Sequence, residues 1–194
     1  LIVVIVMHPI AKAQDSAEEA FKFARNLYKD AGDFATSAAL FGEFIRNFPH
    51  SERLADARLM WARSLKNSGR CDQAIKAYED FYLGHPEHLS TAAARAERAA
   101  CLHQRDRYIE AAQAFEEVQT GFSASEFAAT ALLEAAANYS QGGEVEQAAR
   151  VYRMLVSQYS DDEAAQTARY RLAELAVARG TAVEAQRWLQ QIAA

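Results

Sequence analysis

The residues that could do chemistry are few and scattered. His85-Pro86-Glu87-His88 sets two imidazoles beside a carboxylate, which is the beginning of a metal site. Zinc takes three or four protein ligands. Two histidines at a proline turn with no third ligand read as solvated turn residues, so no metal is expected. Gly142-Gly143 pairs two glycines, but no lysine follows and no strand leads in, so they do not make a phosphate loop. Cys71 and Cys101 are too few and too far apart for a zinc site or a disulfide framework. An oxidising compartment would permit a bond between them, but buried free thiols are the expectation. The acidic pairs Glu116-Glu117 and Asp161-Asp162 read as solvated helix surface or helix ends. Acid, base and nucleophile are not clustered, and the sequence predicts a protein that is not an enzyme and needs no cofactor.

The elements that must position any site are announced by a repeat. GDFATSAALFGEF begins at Gly32, and 37 residues on the chain reads GRCDQAIKAYEDF. Three further copies follow at the same interval: DRYIEAAQAFEEV, GEVEQAARVYRML and GTAVEAQRWLQQI. In register, a turn residue stands at Gly32, Gly69, Asp106, Gly143 and Gly180. Five positions later comes a small residue (Ser37, Ala74, Ala111, Ala148, Ala185), and four after that a large one (Phe41, Tyr78, Phe115, Tyr152, Leu189). Three more bring Phe44, Phe81, Val118, Leu155 and Ile192. Steps of four and three lie on one helix face, and a glycine before that face is a C-terminal signal for the helix preceding it. Each copy therefore predicts two helices and a tight turn.

The preceding segments are helical too. Leu54, Ala57, Trp61 and Leu65 form one stripe, and Ala128, Leu132, Ala135 and Tyr139 another. Breaks recur at Phe48-Pro49, His85-Pro86, Phe122-Ser123 and Tyr159-Ser160. One pair of helices cannot bury its own stripe, so neighbouring pairs must share a core. The expected fold is all-α, an α-solenoid of about five helix-turn-helix repeats and about ten helices, paired from Ala17 onward. Composition agrees: the 194 residues include only eight glycines and three prolines, and 51% are apolar. The net charge of −5 argues against nucleic acid as the partner.

The N-terminus is different. LIVVIVMHPIAKA is apolar as far as Ile10, too short to span a bilayer, and ends in the A-x-A pattern Ala11-Lys12-Ala13. It reads as residues 1–13 of a secretory signal peptide, cut between Ala13 and Gln14, leaving an array over residues 14–194 with no stable membrane span. A periplasmic location follows from that reading, and a retained anchor is the alternative.

Ala74, Tyr78 and Pro86, with Ser37, Phe41 and Pro49, carry a resemblance to the tetratricopeptide repeat family, whose signature sets a small residue, an aromatic four later and a proline eight after that. The period of 37 exceeds the usual 34, and the later copies lack the proline. NFPHSERLADARLMWARSLKNSG is similar to periplasmic bacterial members, such as TolA-binding cell-division coordinators and outer-membrane assembly proteins. The resemblance implies protein binding on a concave face lined by the first helix of each pair. Register places Lys22, Asn26, Asp56, Leu59, Arg63, Glu97, His103, Leu133, Tyr170 and Glu174 there. Lys22 and Asn26 match the start of a carboxylate clamp known in one subfamily, but Met60, Ala93 and Glu97 occupy its later positions, and Glu97 would repel a carboxylate.

The expected function is an interaction scaffold for an unidentified protein in the bacterial envelope. The alternative is an accessory repeat segment of a longer, enzymatic or anchored protein. In the last helix Trp188 is expected to face outward, with Leu189 and Ile192 able to pack inward, so that this end is either continued by further chain or covered by a partner or a second copy.

Overall fold

The computed structural model describes the backbone of residues 7–192. Ten α-helices follow one another, and no strand occurs among the described residues. They are α1 (Met7–Asn26), extended by a π-helical turn at Leu27–Ala31, then α2 (Phe34–Asn47), α3 (Leu54–Asn67), α4 (Cys71–Gly84) and α5 (Thr91–Gln104). After these come α6 (Tyr108–Gly121), α7 (Ala128–Gln141), α8 (Val145–Gln158), α9 (Glu163–Ala178) and α10 (Ala182–Gln190). The second helices begin at 34, 71, 108, 145 and 182, so the 37-residue interval of the sequence is the interval of the structure.

The turns explain why the interval is strict. Gly32, Gly69, Gly143 and Gly180 hold φ between 64 and 81°, the left-handed conformation that ends a helix without a Cβ clash. Asp106 adopts the same conformation at φ 57°, and its carboxylate accepts a hydrogen bond from Tyr108 Oη. At the other end of each pair Phe48, His85, Phe122 and Tyr159 leave the helical region, at φ −127 to −141° and ψ 44 to 61°. Each of these residues donates its N–H to the carbonyl four residues back, at 2.9 Å. Proline follows only the first two, so the break does not depend on it.

The chain divides into two compact units, one up to Ala94 and one from Arg95, a boundary that falls inside α5. In the first unit α1 packs on α2, α2 on α3 and α3 on α4. In the second, α6 to α10 pack in sequence and α7 also meets α9. The repeat positions form the cores. Phe41, Phe44, Tyr78 and Phe81 are at most 2% exposed, and Val118 and Leu155 are fully buried. The small residues Ser37, Ala74, Ala111, Ala148 and Ala185 are all buried, as two closely packed helices require.

The last helix departs from expectation. Trp188 is half-buried, with its indole Nε1 shut away from solvent and without a hydrogen-bond partner. Leu189 is 48% and Ile192 37% exposed. The helix is turned as in every other copy, with Ala185 buried in the pair. Leu189 and Ile192 sit where α2 and α8 present their large residues to the next first helix. Leu189, not Trp188, is the residue that faces out.

Candidate functional site

The first helices place the predicted face unevenly. In the first unit Lys22 is exposed and its Nζ lies 3.6 Å from Glu18 on the same helix. Asn26 is exposed one turn further on. Asp56 lies between Arg53, at 3.5 Å, and His88 Nε2, at 3.4 Å. Because His88 Nδ1 accepts from the Ser90 N–H, Nε2 carries the proton and donates to Asp56. His88 is thus held by its turn and by α3, and His85 stacks on Phe81, their centroids 5.8 Å apart. Burial, the nearby Arg58 cation and His88 push the His85 pKa down. Among the described residues no three potential ligands gather for a metal. Arg63 is half-buried. Leu59 is a correction: only 4% of it is exposed, so it is core and no anchor for a partner. It sits between Ala57 and Ala62, both fully buried, on the packed side of α3.

In the second unit His103 is committed to the fold. Its Nδ1 donates to Asn138 Oδ1 at 2.8 Å, while Asn138 Nδ2 donates to the Glu134 carbonyl. Asn138 is 1% exposed, so this pair satisfies a buried amide and is not spare recognition chemistry. Glu97 and Leu133 are half-buried. Tyr170 stands 51% exposed on α9, and Glu174 accepts from Arg171 at 2.8 Å.

Between α7 and α9 lies a cleft of about 260 Å³, floored by Tyr152 of α8. Ala137, Ser140 and Gln141 form one wall, and Arg171, Glu174 and Leu175 the other. Burial, with the nearby Glu174 and Glu134 carboxylates adding to it, raises the Tyr152 pKa against the opposing Arg171 charge, and the phenol stays protonated. The Arg171 guanidinium is held charged by Glu174. Of the predicted residues only Glu174 lines this cleft. Ser140, Gln141 and Arg171 escaped sequence reading. Their i, i+3 and i, i+4 spacings to Ala137 and Leu175 were the available signal, but alanine-rich helices repeat such spacings on every face.

At the N-terminus the Ala11–Ala13 stretch lies within α1, and the first six residues of the apolar run lie outside the described residues. No described helix is long and apolar enough to cross a membrane. Cys71 and Cys101 are buried and are not joined in a disulfide.

Comparison with known proteins matches the two parts of the chain separately, meeting at residues 85–88. Residues 85–194 match a tetratricopeptide repeat-like domain, and residues 20–51 and 56–88 match two single tetratricopeptide repeats. No curated protein sequence matches. Among solved structures, MamA from Desulfovibrio magneticus RS-1 is 15% identical, with a TM-score of 0.68 over 92% of this chain and 93% of that one. A tetratricopeptide repeat protein from Parabacteroides merdae is 16% identical, with a TM-score of 0.70 over 92% of this chain and 66% of that one. BtubC from P. vanneervenii is 17% identical, with a TM-score of 0.65 over 97% and 90%. Likenesses of this depth speak to the fold.

Proposed function

The chain belongs to the tetratricopeptide repeat-like family, and from that premise we propose a non-enzymatic scaffold of the bacterial cell envelope that holds a segment of a partner protein against its first helices. The observation that carries this reading is the cleft between α7 and α9, with Tyr170 exposed beside it on α9. Its volume, about 260 Å³, falls below the range of roughly 300–1,000 Å³ in which pockets enclose small ligands. It suits one or two side chains of a bound segment. Ser140 and Gln141 offer donors and acceptors to an extended backbone, and Arg171 and Glu174 offer one charge of each sign. Tyr170 supplies the large, stiff aromatic surface on which binding energy concentrates. The mixed charge selects a segment by complementarity, and the anchors set its affinity.

The envelope location rests on Ala11-Lys12-Ala13 after an apolar run. Export places Gln14 at the mature terminus, and the intact mass of the exported protein tests this directly. The binding reading is tested by capture from envelope extract, comparing the wild type with a Tyr170→Ala, Gln141→Arg double variant of unchanged helicity. Loss of a specific partner supports the cleft. Undiminished capture moves the site elsewhere, and turnover of a substrate overturns the scaffold reading.

A further inference from the structure

A second recessed surface lies in the first unit, on the side of the second helices. Ile45 of α2, Arg58 and Trp61 of α3, and Ala77, Asp80 and Leu83 of α4 line a groove of about 340 Å³. None of them belongs to the first-helix face described above. The floor is the half-buried Trp61 ring, whose Nε1 lies 3.5 Å from the point where a Cβ on Gly42 would stand. A Cβ at Gly42 would stand in van der Waals contact with the indole. Leu83 is 67% exposed on the far wall. A leucine left this open beside a tryptophan is unusual on a surface helix, where isolated apolar residues are common but recessed pairs are not.

The charges around the groove are unequal. Arg46 reaches back over Gly42, its guanidinium 3.7 Å from the same point. Arg58 runs under the end of α4, 3.1 Å from where a Cβ on Gly84 would stand. Neither arginine pairs with a carboxylate among the described residues, although Arg53, Arg107, Arg150, Arg171 and Arg179 all do. Among the described residues Asp80 is the only carboxylate lining the groove. Guanidinium groups match carboxylates in geometry as well as charge, and the pair brackets an apolar floor.

We infer that this groove docks an acidic peptide segment, with one large apolar side chain seated on Trp61 between Ile45 and Leu83 and flanking carboxylates taken by Arg46 and Arg58. Asp80 rejects a basic segment and sets the register. The site is independent of the α7–α9 cleft, so either can fail without the other.

Trp61 itself reports occupancy. In a Trp188→Phe background it is the sole tryptophan, and its fluorescence is followed while a blocked decapeptide bearing two leucines flanked by glutamates is added. Two control peptides carry lysines for the glutamates or alanines for the leucines. The expected result is a saturable change with the acidic leucine peptide and none with either control. Arg58→Gln should weaken binding about tenfold, the loss of one charge-assisted hydrogen bond, and Asp80→Asn should tighten it. Added salt should weaken it further. Circular dichroism confirms that each variant keeps its helix content. Equal responses to the acidic and lysine peptides, or an Arg58→Gln protein that binds as the parent does, would overturn the proposal.

Discussion

The two units write one backbone in two chemistries. In the first the core is built on rings: Phe21 meets Phe41 and Phe44 edge-on at 5.6 and 5.9 Å, and Phe44 meets Phe48 at 5.1 Å. Its buried polar side chains are three short hydroxyls, of which Thr91 donates to the His85 carbonyl at 3.0 Å. Ser37 donates to the Ala24 carbonyl and Ser64 to the Met60 carbonyl, their oxygens 3.1 Å apart. In the second unit alanine fills the helix contacts, with twelve alanines from Ala111 to Ala165 buried. Polar struts tie its helices together. Tyr139 donates to Glu116 at 2.7 Å, Arg150 reaches the same carboxylate at 2.7 Å, and Arg179 reaches Glu146 at 2.6 Å. The positions of the residues are shared and their chemistry is not. A repeat of this kind specifies size at a few sites and leaves the means of filling them open.

That contrast can be broken by substitution. The largest effect is expected at Phe41→Ala, which removes a fully buried ring and its edge contact with Phe21, at a cost of about 3–5 kcal/mol. Denaturant unfolding measures it, and a cost below that of an alanine-flanked aliphatic such as Leu132→Ala would deny the ring core its role. Asn138→Ala comes next. It strips His103 and the Glu134 carbonyl of a buried partner and should cost about 1–3 kcal/mol. A double-mutant cycle with His103→Ala should recover most of that loss as coupling.

The units should also fail at opposite ends of the pH scale. The Tyr139 phenol is pushed up to about 12, chiefly by burial and then by its bond to Glu116. Its neutral form is favoured in the fold, so its contribution is full below the ordinary value of 10 and is lost as pH rises toward 12. His85 is pushed down from 6.5, so its contribution is full above that value and fades as pH falls through its depressed pKa. Amide exchange should therefore quicken in the second unit in alkali and in the first unit in mild acid. Tyr139→Phe should abolish the first dependence and His85→Gln the second.

The smallest expected effect is a gain. Asp106 holds the left-handed turn that glycine holds in four other copies, and Asp106→Gly should stabilise by about 0.5–1 kcal/mol. A loss instead would mean that its bond with Tyr108 outweighs the backbone strain.

The fold was legible because its grammar is local. Turn glycines, small residues and large residues fall at fixed spacings, and those spacings set helix starts to the residue in α2, α4, α6, α8 and α10. The face of each first helix was less legible. Leu59 has the same register as the exposed Tyr170, yet the neighbours of α3 bury it. His103 likewise looks available until Asn138, 35 residues away, is seen to claim it. Trp188 and Leu189 exchange roles because one step along a helix turns a side chain by about 100°. Periodicity states which residues share a stripe. Only packing states which stripe is covered.

The central claim is that partner binding falls on the first helices. A photo-crosslinking amino acid placed at position 170 on α9, and separately at exposed position 153 on α8, tests it in living cells expressing the full gene. The account predicts a discrete protein adduct from position 170, lost on Gln141→Arg, and none from position 153. An adduct from 153 with none from 170 would contradict it.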